Sequence, residues 1–403
     1  MAPDVRRILI SQGLRAFVYG FGSVLLGASL KERGWPSSEV GILLAAIVAG
    51  TALMSILVGL FGDRIGRRRF YGFLYLGLAG TGVAFGTSST LWVLVLVALF
   101  GTLSTEVNDS GPFTSLEQAM LPSGLESRER TRVFGRYNIV AVTVGSLGAL
   151  ATGGPHLARH IWPGVPNDQR FFLVFIPVGI AGFVLAKRLT NSVEEGRPLH
   201  VTKQPRLQRS KPSVIRLAAL FATDSFGGGF VVQSFIAYWF SAKFGVKLEI
   251  LGVMFFIVGL LQAGSFIVAT RLAERFGLLN VMIFTHLPSN VFLAAIPLAP
   301  TFPGALALLF ARFSLSQMDV PTRQAYVVSL VDANERTAAS AFTNTARYAV
   351  RPFGPALAGA SQKIAFGMPF FIAGGVKVIY DAVLWAWFRH VPLAEEATSR
   401  PRR

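Results

Sequence analysis

The sequence predicts an all-α polytopic membrane protein, about twelve transmembrane helices arranged as two pseudo-symmetric six-helix bundles. Three observations carry that expectation. The 403 residues are 52% hydrophobic and only 15% charged, whereas soluble domains carry about 25% charged residues. The apolar excess recurs in runs of about 20 residues, the length a helix needs to cross a bilayer core. Short sequence blocks also recur in matching places of the first and second halves.

The apolar runs fall at 8–30, 40–61, 70–88, 91–121, 134–153, 171–187, 214–241, 249–270, 279–298, 304–330, 338–361 and 368–388. The 41 glycines suit helices that pack closely in lipid, because small residues let backbones approach. Segment 1–7 is followed by apolar residues with no small-residue cleavage site, which predicts an uncleaved first span. An even number of spans puts both termini on one side. That side holds about 25 of the Lys and Arg residues against about 7 on the other, so both termini are expected in the cytoplasm of a cell (inner or plasma) membrane. The same asymmetry accounts for the net charge of +17 without nucleic acid as a partner.

The longest polar segment, 189–213, contains Glu194, Glu195, Arg197, Lys203, Arg206, Arg209 and Lys211. It reads as a solvated linker. The expected organisation is a bundle over 1–188, a cytoplasmic linker over 189–213, a second bundle over 214–390 and a tail over 391–403. The chain has no cysteine, which excludes disulfides and thiolate metal sites.

Glu129-Arg130-Thr131 precedes span five and Glu335-Arg336-Thr337 precedes span eleven, an offset of 206 residues (335 less 129). At the same offset Glu117-Gln118-Ala119 meets Arg323-Gln324-Ala325, and Gly148 and Gly153 meet Gly354 and Gly359. After a small insertion, Asp63-Arg64-Ile65-Gly66 meets Glu274-Arg275-Phe276-Gly277. The ordered recurrence argues for two related halves, an architecture known among transporters.

Between spans two and three the chain reads Gly59-Leu-Phe-Gly-Asp63-Arg64-Ile-Gly66-Arg67-Arg-Arg69. This resembles the signature loop of the major facilitator superfamily, and with six spans on either side of a linker the resemblance covers essentially the whole chain. It implies a secondary transporter that works by alternating access. It also implies a cytoplasmic gate built from Gly59, Asp63, Arg64, Gly66 and Arg67, with Asp63 facing the N-terminus of span eleven and Glu117 a partner for the arginines. Gly59 is expected to admit a neighbouring helix, and Gly66 to allow a tight turn. Glu274 and Arg275 keep the charge pair in the second half, but Leu278 and Leu279 replace the basic run, so a weaker second gate is expected.

In this superfamily spans one, four, seven and ten line the central cavity, and here each of them carries charge. Arg15 lies in span one, Glu106 and Asp109 in span four, Asp224 in span seven, and Arg312, Asp319 and Arg323 in span ten. Intramembrane charge is costly and marks a site or a pair. At 1.5 Å per residue, Arg15, Glu106, Asp109 and Asp224 fall at comparable depth, so a ring of proton- or substrate-binding groups is expected, with Tyr19, Gln233 and Tyr238 lining the cavity. Asp319 and Arg323, and Lys377 and Asp381, are spaced to pair along their own helices. Arg347 has no carboxylate on its helix and is expected to meet Asp319 or an anionic substrate. His286 reads as a hydrogen-bonded neighbour more readily than as a proton relay. Asp224-Ser-Phe-Gly-Gly-Gly229 predicts a flexible or broken segment beside a carboxylate, since each glycine weakens a helix by about 1 kcal/mol.

The span-five run Gly145-Ser-Leu-Gly148-Ala-Leu-Ala-Thr-Gly153-Gly154-Pro155 resembles in part the motif of drug–proton antiporters of the superfamily, with Ala149 where that motif has proline. No phosphate-binding Gly-x-x-x-x-Gly-Lys-Ser/Thr loop is present. The expectation is proton-coupled export of a small organic solute by a monomer, with protons as coupling ion and neither cofactor nor metal. The alternatives are import of a small anionic nutrient through Arg15, Arg312 and Arg347, and movement of a lipid or lysolipid. No nucleophile–base constellation points to an enzyme.

Overall fold

The computed structural model describes residues 3–100, 102–106, 111–121, 127–162, 164, 168–194, 207, 210–332 and 335–391. Among them all regular secondary structure is helical. The chain runs through α1 (Pro3–Glu32), α2 (Ser37–Ile65), α3 (Arg67–Thr87), α4 (Leu91–Phe100), α5 (Pro112–Met120), α6 (Ser127–Leu150), α7 (Gly154–Ile161) and α8 (Phe175–Lys187). It continues through α9 (Lys211–Phe230), α10 (Gln233–Phe244), α11 (Leu248–Phe276), α12 (Leu278–Ala295), α13 (Phe302–Leu315), α14 (Asp319–Leu330), α15 (Arg336–Val350), α16 (Phe353–Ser361) and α17 (Met368–Phe388).

Nine described helical segments are long and apolar enough to cross a membrane. Spans four, ten and eleven, expected as continuous helices, are each built from two shorter ones. Their breaks have local causes. Pro112 opens α5, where its missing N–H is harmless. Pro321 lies in the first turn of α14, and a proline clashes with the carbonyl four residues before it; that carbonyl belongs to Gln317, within the break between α13 and α14. Pro352 separates α15 from α16. Span seven also breaks, as its glycines predict: α9 ends at Phe230, Val231 takes φ −129°, ψ 48°, and α10 restarts at Gln233.

The chain forms two compact units, Met1–Arg197 with Val232–Leu260, and Pro198–Val231 with Leu261–Arg403. The first is held by α1 against α6, α8 and α10, by α3 against α8, and by α2 against α4 and α5. The second packs α9 against α15, α16 and α17, and α12 against α13, α14 and α17. Its core gathers Val214, Leu217 and Phe221 of α9 with Met282, Tyr326, Tyr380 and Leu384.

Glycines set the closest approaches, and they do so in the same way in both units. A Cβ on Gly20 would lie 1.9 Å from the Gly145 carbonyl oxygen, and one on Gly148 would lie 2.0 Å from that of Phe17. In the second unit a Cβ on Gly229 would lie 2.5 Å from the Arg351 oxygen, and one on Gly354 would lie 2.8 Å from that of Phe226. Gly145 and Gly148 map onto Arg351 and Gly354 at the offset of 206. Phe17 and Gly20 then map onto Phe226 and Gly229 at an offset of 209 (226 less 17). The repeat is therefore visible contact by contact.

Candidate functional site

Each unit buries a cluster of charge. In the first, Arg15 on α1 donates to Glu117 Oε2 on α5 at 2.6 Å, to Gln12, and to the Tyr137 hydroxyl at 3.3 Å. Glu117 has no exposure. It accepts two further hydrogen bonds, from Tyr71 at 2.6 Å and Tyr137 at 2.5 Å. The Arg15 guanidinium lies 5.0 Å from the Phe113 ring and 5.4 Å from that of Tyr19. The cluster holds one cation, one anion and hydroxyls that donate to the anion. It is closed and internally neutral.

The second unit is more elaborate. Asp224 on α9 accepts from Lys377 of α17 at 2.5 Å and from Arg323 of α14 at 3.3 Å. Arg323 also holds Asp319 at 2.8 Å along its own helix. His286 of α12 places Nε2 3.6 Å from Asp224 Oδ1 and Nδ1 2.9 Å from Asp381 Oδ1. Asn290, one turn on, donates to Asp381 Oδ2 at 2.9 Å. Asp224, His286, Asp319, Arg323, Lys377 and Asp381 are all buried. Burial of charge is tolerated only with partners, and each of these six has at least one.

The two clusters occupy equivalent places. Glu117 maps to Arg323 at the offset of 206, and the packing that aligns Phe17 with Phe226 aligns Arg15 with Asp224. The Arg15–Glu117 pair thus reappears as Asp224–Arg323 with its polarity reversed. Gly66 and Gly277, with φ of +100° and +82°, begin α3 and α12, and nine residues beyond each stand Tyr75 and His286. In the first unit Tyr75 spends its hydroxyl on the Ser11 carbonyl at 2.9 Å; in the second an imidazole stands at that position between two carboxylates.

These positions correct several expectations. Arg15 meets Glu117 of α5. Glu117 is accordingly a buried partner of Arg15 and does not serve the loop arginines. Lys377 and Asp381 do not pair with each other, because one reaches α9 and the other α12. Arg323, not Arg347, holds Asp319. Arg347 lies in the electrostatic neighbourhood of Arg323, Asp224, Asp319 and Arg351, with its Nε unbonded. Glu106 sits in non-helical chain between α4 and α5, where its backbone N–H donates to Ser104 Oγ at 3.1 Å. Asp109 lies outside the described residues. Arg312 is buried and stacks 4.6 Å from the Phe313 ring. Tyr19 donates to the Thr102 carbonyl at 2.5 Å, Gln233 donates to Ser23 at 3.1 Å, and Tyr238 is buried beside Phe235.

In the α2–α3 turn, Asp63 pairs with Arg67 at 2.8 Å, and Arg67 also donates to the Ala119 carbonyl at 3.2 Å. Gly66 adopts the positive φ expected of it. Gly59 is exposed, and a Cβ there would meet nothing within 4 Å, so in this structure it does not admit a neighbouring helix. Arg64, Glu274 and Arg275 are also exposed. Sequence reasoning missed Glu194, whose two carboxylate oxygens each accept a backbone N–H, from Arg67 and Arg68, at 3.0 Å. It caps α3, where the helix dipole favours an anion. Among the described residues no group of three or more His, Asp or Glu is placed to hold a metal ion.

The fold defines a multi-pass membrane protein with two repeated helical units. The family model of the Major Facilitator Superfamily matches residues 8–355 and 225–403, and the chain belongs to that superfamily: it is a membrane transporter with the twelve-helix fold. It is 25% identical to the uncharacterized membrane protein YJR124C of Saccharomyces cerevisiae, over 96% of this chain and 94% of that one. It is 24% identical to the uncharacterized MFS-type transporter YceJ of Bacillus subtilis, over 85% and 86%. Among solved structures, a D-xylose–proton symporter superposes with a TM-score of 0.74 at 15% identity, covering 99% of this chain and 100% of that one. The nucleoside transporter NupG superposes at 0.71 with 13% identity, over 96% and 100%.

Proposed function

We propose that this chain is a proton-coupled secondary transporter of a small organic solute, working by alternating access and run in the direction of export. The observation that carries the reading is the buried cluster around Asp224. A carboxylate held by two cations and faced by a histidine changes its partners when a proton arrives, and such a change is what couples a proton to a conformational equilibrium. The membrane is taken as a cell membrane with both termini cytoplasmic, as the Lys and Arg distribution favours. Export is favoured by the span-five glycines, which resemble an antiporter motif and of which Gly145 and Gly148 make the close contacts to α1. The proton-symporter title of one structural neighbour makes import the second reading.

The test uses purified protein in proteoliposomes. Solutes are first screened by thermal stabilisation, and flux of those that bind is then measured with and without an imposed pH gradient. A gradient should drive net movement against the solute's own gradient in the wild type, and Asp224→Asn should lose that drive while retaining solute exchange. Wild-type flux indifferent to the pH gradient, or unchanged coupling in Asp224→Asn, would sink the reading. Solute moving with protons would reverse the direction and leave the coupling intact.

A further inference from the structure

The repeat places an imidazole at 286 where the first unit has a phenol at 75. We propose that His286 is the proton-binding group of the second unit, and that its protonation competes with Lys377 for Asp224. The inference rests on the coupling reading above and assigns the residues that perform it.

His286 Nδ1 lies 2.9 and 3.1 Å from the two oxygens of Asp381. An ionised carboxylate only accepts hydrogen bonds, so a contact this short requires a proton between nitrogen and oxygen. Asn290 Nδ2 lies 3.1 Å from Nδ1 and donates to Asp381 Oδ2, which keeps the carboxylate in place. The Nδ1 side is therefore filled in the neutral imidazole. Nε2 differs. It faces Asp224 Oδ1 at 3.6 Å, beyond a hydrogen bond, and the same oxygen accepts Lys377 Nζ at 2.5 Å. One proton position on the ring is thus empty and aimed at an oxygen already taken.

The surroundings make that position responsive to charge. From α9 comes Asp224; from α14 come Asp319 and Arg323; from α17 come Lys377, Asp381 and the Tyr380 ring, edge-on to the imidazole at 5.8 Å. Arg347 of α15 adds a third cation acting on Asp224, and Tyr348 of the same helix acts on Arg323. The three carboxylates and the cations Arg323, Arg347 and Lys377 balance while His286 is neutral. A second proton forms an N–H bond at Nε2 and makes the ring a cation between two carboxylates. The Nε2–H then closes on Asp224 Oδ1, and the hydrogen bond from Lys377 to that oxygen is released.

The glycine run of α9 fits this role. Lys377 lies along Gly227 and Gly228: a Cβ on Gly227 would fall 3.1 Å from Lys377 Cγ, and one on Gly228 would fall 3.8 Å from Nζ. These glycines give the lysine stem a backbone groove to reach Asp224 and to leave it.

The experiment reads the proton itself. His156, His160, His200 and His390 are replaced by Gln in the full chain, leaving His286 as the only histidine, and its ring nitrogens are followed by 15N NMR in lipid nanodiscs. Nδ1 should stay protonated, while Nε2 gains a proton reversibly as the sample is taken from about pH 8 to about pH 5, the scan suited to a histidine. Lys377→Met should raise the ratio of protonated to neutral ring at a given pH by about tenfold, one unit of titration midpoint, and Asp224→Asn should lower it. A ring fixed in one protonation state across that range, or a titration that Lys377→Met leaves in place, overturns the inference. In the flux assay, His286→Gln with wild-type coupling also overturns it and leaves the coupling reading standing. Wild-type flux that ignores the pH gradient overturns the coupling reading instead, and the two failures are distinct because the titration needs no solute.

Discussion

The Arg15–Glu117 pair offers the sharpest test of the buried electrostatics. Removing one member of a fully buried pair leaves an uncompensated charge, which costs about 3–5 kcal/mol. Glu117 also accepts from Tyr71 and Tyr137, and hydrogen bonds to charged groups contribute about 1.5–3 kcal/mol each. Glu117→Ala should therefore lose at least about 4 kcal/mol, the middle of the range for a broken pair. Arg15→Met should lose about 3 kcal/mol, because the two hydroxyls still donate to the stranded carboxylate. Arg15→Met with Glu117→Leu removes both charges and should recover most of the loss, to within about 1–2 kcal/mol of wild type. Thiol-reactive dyes cannot report on a chain without cysteine, so SDS unfolding is followed through the six tryptophans. Single substitutions costing under about 1 kcal/mol, the value of an exposed pair, would refute the reasoning. So would a double variant as unstable as the sum of the singles.

Further expectations concern the backbone. Gly20→Ala and Gly229→Ala push a methyl into a carbonyl oxygen and should each destabilise by about 1–3 kcal/mol in the same assay. Gly264→Ala, within α11 with nothing in 4 Å, should be neutral or stabilising by up to about 1 kcal/mol. Glu194→Gln weakens the cap on the Arg67 and Arg68 N–H groups and should cost about 1 kcal/mol, read as faster proteolysis near residue 190 under limited trypsin. Tyr137→Phe leaves Glu117 its bonds from Arg15 and Tyr71 and should cost about 1–2 kcal/mol, visible as a lower unfolding midpoint in SDS.

Much of the fold was legible because it is written in periodic or local signals. Apolar run length gave the spans, and the three glycines before Phe230 gave the break in span seven; the repeat gave related halves, although the compact units cut across them, with Val232–Leu260 grouped with the first. The breaks in spans four and ten were missed although Pro112 and Pro321 mark them, because hydropathy averages over a proline. At the cluster, the sequence supplied the charged residue types and one pair, Asp319 with Arg323, but not the partners of Glu117, Lys377 and Asp381. Depth along a helix places Arg15 and Asp224 at comparable levels, but it does not say which neighbour each faces. Lys377 and Asp381 show the limit: four residues apart, they share a helix face, yet each finds a closer partner on another helix. Tyr71, Tyr75 and Tyr137 carried no signal that set them apart from other aromatic residues of membrane helices. His286 is the hydrogen-bonded neighbour it was read as, but a lone histidine carries no pattern that names its partners. Its signal was available in Asn290 one turn further on, and in the place it shares with Tyr75 after the loop glycine.

The paired glycine contacts of Gly20 with Gly145 and Gly229 with Arg351 have a consequence for how such a chain acquires function. They fix the distance between two backbones and say nothing about the sign of the side chains beyond them. Each unit is a casting from one mould, and the mould specifies a socket for a couple of opposite charges without specifying which helix carries the plus. A duplicated gene can then reverse the couple in one copy, as Arg15–Glu117 and Asp224–Arg323 stand reversed here, provided both members change together. One casting closes the couple with hydroxyls alone, while the other surrounds it with further carboxylates, a lysine and a histidine.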